Sequence, residues 1–206
     1  MVTNCPVNRS IGTLVAVLAV SNLLILSADA SAGQKPDVQR LYQSGSFEEA
    51  VKAADNADPA STYLAAQALI KLEQSDRAIQ EYAEIKSASP GWKLIAESGE
   101  ALIANDGARA VDLARQATAA DGDNPFAHYQ LGLSASKQSD YGTATRAFNR
   151  ALELKGDLAY AHYYAALAEQ RQRQLSRAAD HFEAFLRLAP QAPERQAVQA
   201  IMRTLK

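Results

Sequence analysis

Residues Pro125–Asp157 read PFAHYQLGLSASKQSDYGTATRAFNRALELKGD, two amphipathic helical segments joined across Gln138–Tyr141. The apolar positions of this stretch return at a fixed interval. Ala110, Ala144 and Ala178 are evenly spaced, at a period of about 34 residues. Phe148 has Ala114 and Phe182 at the same offsets, and Ala151 has Ala117 and Phe185. One helical pair cannot bury its apolar face alone, so a sustained period of this length predicts a stack in which each pair covers its neighbour. The expected fold class is all-α, an α-solenoid.

Working outward, residues 125–158 and 159–192 are the two best-formed units. Residues 59–90 form an earlier one, with a first helix over Thr62–Leu72, a turn at Glu73-Gln74-Ser75 and a second helix over Asp76–Lys86. The unit at 91–124 is irregular. The step from Ala78 to Ala110 falls two short of the period, and the compact turn Asn105-Asp106-Gly107 is the expected place of the deletion. Residues 36–58 read as a partial N-terminal unit turning at Gly45. After a short linker at 31–35, that unit begins the array. Residues 193–206 carry Ala197, Val198, Ile201, Met202 and Leu205 among charged residues and read as a helix capping the last apolar face.

Residues 1–30 have a different organisation. Arg9 precedes an almost wholly apolar run, Ile11–Leu26, and Ala28 and Ala30 supply the small residues of an A-x-A cleavage pattern. This is the order of a secretory signal peptide, with cleavage expected between Ala30 and Ser31 and an overlapping second site at Ala30-Ser31-Ala32. The alternative is an uncleaved anchor over 11–26. As a helix that run rises about 24 Å, short of the roughly 30 Å hydrocarbon core. Removal of the leader also removes Cys5, the single cysteine, and with it any disulfide or thiolate chemistry. The expected location is therefore exported, and periplasmic if the source is bacterial.

Lys plus Arg total 21 against 23 Asp plus Glu, a net charge of −2. A nearly neutral chain presents no electrostatic case for nucleic acid. No H-E-x-x-H, P-loop, G-x-S-x-G or glycine-rich dinucleotide motif occurs. His128 and His162 are one period apart and occupy equivalent places, while His181 lies on a second helix. No third ligand recurs with them, so no metal, cofactor or catalytic residue is assigned. A small metal-dependent enzyme is the least favoured function.

The units resemble the tetratricopeptide repeat, with its pattern W-x2-L-G-x2-Y, then A-x3-F, then P. The strongest unit has His128-x2-Leu131-Gly132-x2-Ala135, Ala144-x3-Phe148 and Gly156 in the proline place. The next has His162-x2-Ala165-Ala166-x2-Glu169, Ala178-x3-Phe182 and Pro190. Residues 59–90 have Thr62-x2-Ala65-Ala66-x2-Leu69, Ala78-x3-Tyr82 and Pro90. The tryptophan place is never Trp, and Leu-Gly is complete once. The resemblance implies a right-handed solenoid whose first helices line a concave groove, and a non-enzymatic scaffold or adaptor that binds protein partners.

Along those first helices runs a second pattern. Tyr129-x3-Leu133-x3-Lys137 is repeated one period later by Tyr163-x3-Leu167-x3-Arg171, and Tyr63-x3-Gln67-x3-Lys71 has the same outline. Spacings of four set each trio on one helix face, and Phe126 and Tyr160 extend the row by one turn. One reading is a partner-binding groove with aromatic anchors and a basic rim, taking a peptide or helix. The other is tyrosines packed between repeats, with solvated basic helix ends. The inner-helix Lys, Arg and Asn with which some members of the family hold a partner's C-terminal carboxylate are replaced here by Tyr129, Leu133, Tyr163 and Leu167. That mode is disfavoured. Membrane attachment is expected only through an uncleaved N-terminal segment.

Overall fold

Short capping signals recur with the period and set the helix ends. The computed structural model describes residues 37–205. Among them are eleven helices and no strand. The leader, its cleavage residues Ala30 and Ser31 and the linker lie outside the described residues.

Helices α1 (Val38–Ser44) and α2 (Phe47–Ala53) form a short first pair. Four longer pairs follow: α3 (Pro59–Lys71) with α4 (Ser75–Ile85), α5 (Pro90–Ile103) with α6 (Gly107–Ala120), α7 (Pro125–Lys137) with α8 (Tyr141–Leu154), and α9 (Ala159–Arg171) with α10 (Leu175–Leu188). Helix α11 (Arg195–Thr204) packs on α10 and buries Val198. Three first helices open on an Asx/Ser-Pro pair. The Asp58, Asn124 and Ser89 side chains accept from the amides of Ala60, Phe126 and Trp92, and the following proline has no N–H to leave unpaired.

The turns inside the pairs are alike to the residue. Each of the four longer pairs turns through three residues, the middle one left-handed: Glu73, Asn105, Ser139 and Arg173, all with φ near 60°. In each, the two backbone bonds of a Schellman motif close the first helix, as with Gln74 N–H to Leu69 O at 2.9 Å and Glu73 N–H to Ile70 O at 3.1 Å. Gly45 does the same for α1.

The deletion is therefore not in the Asn105-Asp106-Gly107 turn, which has the same three-residue turn as its neighbours. It falls one unit earlier, in α4, which has 11 residues where α6, α8 and α10 have 14. The sequence placed it wrongly because a compact turn is visible as a motif, whereas the length of a helix is not. A helix three residues shorter is about 4.5 Å shorter. Less spacer then separates the second pair from the third, and α3 barely meets α5 along the backbone. Instead the Tyr63 ring reaches beyond Trp92 (6.1 Å between centroids) to Phe126 at 5.3 Å and Tyr129 at 6.4 Å on α7.

Alanines at the helix crossings are wholly buried, Ala110, Ala114, Ala117, Ala144 and Ala151 among them. Gly132 lets Phe148 lie directly on α7: a Cβ there would come within 2.5 Å of the ring. Gly132→Ala should thus be destabilising, since an overpacking cost of about 1–3 kcal/mol exceeds the roughly 1 kcal/mol gained in helix propensity. Gly142→Ala, whose Cβ meets nothing nearer than 3.7 Å, should not lower stability. Urea midpoints followed by the fluorescence of Trp92, the single tryptophan, separate the two outcomes. Arg173→Gly should stabilise by up to about 1 kcal/mol, as relief of left-handed strain exceeds the added unfolded-state entropy.

Candidate functional site

First helices of several pairs pack on one another, α1 on α3, α5 on α7 and α7 on α9, and the residues they bring together are largely aromatic. Trp92, Phe126 and Tyr160 follow one another at the repeat period, and Tyr129 and Tyr163 likewise. The structure corrects the expectation of an exposed aromatic row. Tyr63, Phe126, Tyr129 and Tyr160 are all buried. They close on one another and on their neighbours: Tyr129 stacks edge-on to Phe148 at 5.8 Å, and Tyr160 lies 5.7 Å from Phe185. The physical reason is that rings from non-consecutive helices cover one another, Tyr63 reaching Phe126 and Tyr129 on α7 and Tyr42 reaching Tyr160 on α9, and burying each contributes about 1.5–3 kcal/mol.

The remaining positions divide by depth. Leu133, Tyr163 and Leu167 are half-buried, and Lys137 and Arg171 are exposed in the last turns of α7 and α9. These five make the accessible strip. Lys71 is not a free rim cation: its ammonium lies 2.9 Å from Glu194, just before α11, and over the Tyr160 ring at 4.6 Å. Burial pulls the Lys71 pKa down, but Tyr164 and Glu194 outweigh it and leave the group above its usual value. Burial likewise raises Glu194, and Lys71 more than offsets this, holding the carboxyl below its usual range.

Sequence reasoning missed Trp92, Tyr42 and Tyr164. Trp92 had a signal, its distance of one period from Phe126. Tyr164 stands beside Tyr163 and stacks on Phe148 at 6.0 Å. Tyr42 had none, because its ring packs on Tyr160 of α9, 4.8 Å away and outside any repeat register.

A buried polar chain crosses the same region. Tyr63 Oη donates to Gln130 Oε1 (2.8 Å), Gln130 Nε2 to Ser98 Oγ (3.1 Å) and Ser98 Oγ to the Ala110 carbonyl (2.8 Å). With the single Ser98 proton so used, Ser134 is the donor of the 3.1 Å Ser98–Ser134 bond. Four helices are thereby held in one register.

A second polar cluster lies between α9 and α10. His162 Nδ1 and His181 Nδ1 are 2.9 Å apart, and His162 Nε2 is 3.3 Å from the Gly156 carbonyl. A neutral His162 donating to that carbonyl must accept at Nδ1, which puts the His181 proton on Nδ1 and leaves its Nε2 bare toward Glu169 Oε1, 3.7 Å away. The Glu169 carboxyl is buried without a hydrogen-bond partner, and burial pushes it up to about 7. Burial, then His162, pushes His181 down to about 4. These three side chains are not arranged as a metal centre. Among the described residues no three His, Cys, Asp or Glu groups are placed to hold an ion.

The signs of these two shifts oppose. From about pH 4.5 to 7 the folded chain keeps the Glu169 proton that the unfolded chain releases, so this group lowers stability as pH rises. From about pH 4 to 6.5 the unfolded chain binds a proton on His181 that the folded chain does not, so this group raises stability as pH rises. Glu169→Gln removes the first contribution. Its urea midpoint should climb more steeply than wild type between pH 4.5 and 6.5 and lose less between pH 6.5 and 8. Parallel profiles would refute the assignment.

No family model matches the sequence, and no curated protein matches it. Solved structures do. A thermophilic TPR protein of Thermus thermophilus is 17% identical, with a TM-score of 0.57 over 82% of this chain and 94% of that one. The APC/C hetero-tetramer Cut9-Hcn1 is 17% identical, with a TM-score of 0.57 over 79% of this chain and 33% of that one. The first TPR of Spaghetti (RPAP3), solved bound to the HSP90 peptide SRMEEVD, is 18% identical, with a TM-score of 0.52 over 56% of this chain and 89% of that one. These likenesses are of fold, and they agree with the repeats, the turns and the helix pairing: this chain has the fold of the tetratricopeptide-repeat proteins, an all-α solenoid.

Proposed function

We propose that this protein is a non-enzymatic, exported interaction scaffold that binds a partner's peptide or helix along its inner face. The observation that carries this is the accessible strip of Leu133, Tyr163 and Leu167 edged by Lys137 and Arg171. Apolar residues repeated at the period on adjacent first helices, with a cation at the end of each helix, form a surface suited to an apolar anchor followed by acidic residues. Peptide capture by the RPAP3 repeat supports the same use of the fold. The signal-like leader supports export, and periplasmic residence in a bacterium, where such a scaffold would serve envelope or secretion machinery. A membrane-tethered subunit, held by an uncleaved 11–26 segment, is the second reading. Among the described residues no helix is long and apolar enough to cross a membrane.

Two measurements test this. N-terminal sequencing of exported protein should begin at Ser31, or at Gly33 if the overlapping site is used; an intact leader in the membrane fraction favours the tether. Affinity capture from the native compartment should lose its principal partner, by tenfold or more, on Leu167→Asp with Arg171→Glu, at unchanged helical content. Undiminished capture would exclude this strip as the binding face.

A further inference from the structure

The pair α9–α10 departs from α7–α8 at two core positions. His162 and Gly156 return one period after His128 and Gly122, and each imidazole Nε2 faces its glycine carbonyl, at 3.3 and 2.9 Å. Glu169 and His181, however, stand where the earlier pair has Ala135 and Ala147, both buried. Alanine packs at these places without an unmet polar group. An acid that is wholly buried and unbonded does not, so its presence calls for a role.

Four groups lie in a line: the Gly156 carbonyl, His162, His181 and Glu169. The contacts are 3.3 Å to the carbonyl, 2.9 Å between the two Nδ1 atoms, and 3.7 Å from His181 Nε2 to Glu169 Oε1. Each neutral imidazole has one N–H and one bare nitrogen. The contact between the Nδ1 atoms holds a single proton, so the tautomer of one ring fixes that of the other.

With Glu169 protonated, His162 donates to Gly156 and His181 donates to His162. His181 Nε2 is then a bare acceptor for the Glu169 hydroxyl. With Glu169 ionised, the same nitrogen would face a carboxylate, two acceptors in a buried place. Reversal of the line removes the conflict. His181 carries its proton on Nε2 and donates to Glu169, His162 carries its proton on Nδ1 and donates to His181, and His162 Nε2 is bare toward Gly156. Each ring keeps one N–H throughout, and the one proton lost by Glu169 passes to solvent. A charge-assisted bond to the carboxylate is roughly twice as strong as a neutral one, so it outweighs the 3.3 Å bond given up. The charged groups facing the line are on α10: Arg177 and Asp180 at Glu169 and His181, and Arg187 at His162. Arg177 favours the ionised acid and Asp180 opposes it, with burial the larger influence on all three groups.

We propose that Glu169, His181 and His162 form a tautomer relay that carries the ionisation of a buried acid to the α8–α9 turn and releases Gly156 when the acid is charged. The turn is a junction of the fold, because the next carbonyl, Asp157, accepts from Gln39 and Gln43 of α1 at 3.1 and 2.7 Å. Burial sets the acid's titration at about 7, so the turn is held in mildly acid surroundings and loosened in mildly alkaline ones. The relay does not depend on the accessible strip being a binding face.

Nitrogen–proton correlation spectra of the 15N-histidine-labelled protein read the tautomers directly. At pH 6, His162 should be the Nε2–H form and His181 the Nδ1–H form; at pH 8 both should be exchanged. His128, which lacks the acid and the second imidazole, should not trade one neutral form for the other. Glu169→Ala and His181→Ala restore the residues of the preceding pair, and each should hold His162 as Nε2–H at both pH values. Amide exchange at residues 156–158, corrected for its intrinsic pH dependence, should rise threefold or more from pH 6 to 8 in wild type and in neither variant. Tautomers that do not change in wild type, a His181 imidazolium at pH 8, a switch that survives Glu169→Ala, or a turn insensitive to pH would each overturn the relay.

Discussion

The contact from Tyr63 on α3 to α7 is the interaction on which the rest of this structure depends. Its ring lies against Phe126 and Tyr129, and its hydroxyl, 2.8 Å from Gln130, starts the buried chain through Ser98 to the Ala110 carbonyl. A neutral hydrogen bond contributes about 1 kcal/mol net, but each buried partner left without one costs about 1–3 kcal/mol. The chain therefore selects one register of four helices more strongly than it stabilises them. Apolar ridges alone would tolerate sliding; Gln130 would not, since its amide satisfies Tyr63 and Ser98 only from one position.

Around that contact, rings from the second, third and fourth pairs pack on one another, and Tyr42 and Tyr160 continue the packing from the first and fifth pairs. What is left to solvent is the strip of Leu133, Tyr163 and Leu167 with Lys137 and Arg171. Which of the first-helix residues remain accessible is thus set by the ring contacts between pairs, and not by the repeat pattern alone.

Polar groups inside the array show the same logic with different outcomes. Gln130 and Ser98 are fully bonded and act as register pins. Glu169 is buried without a partner and is shifted toward the neutral form, because an uncompensated carboxylate in that place would be far costlier than a carboxyl. Lys71 keeps its charge because Glu194 and two tyrosine rings are supplied by elements from the far end of the chain. Each case is decided by neighbours that no local window contains.

The sequence by itself determined the all-α repeat array, its period, the turns at Gly45, Glu73, Asn105 and Ser139, and the recurrence of Phe126 at Tyr160 and of Tyr129 at Tyr163. These depend on interactions between near neighbours along the chain, or on recurrence at the repeat period, and both are visible in one dimension. Tertiary structure alone decided that the shortening lies in α4, that four of the proposed groove aromatics are core, and that Lys71 pairs with Glu194. The reason is that each depends on contacts between distant elements, such as Tyr63 with Phe126, Tyr42 with Tyr160 and Lys71 with Glu194, which no single repeat carries.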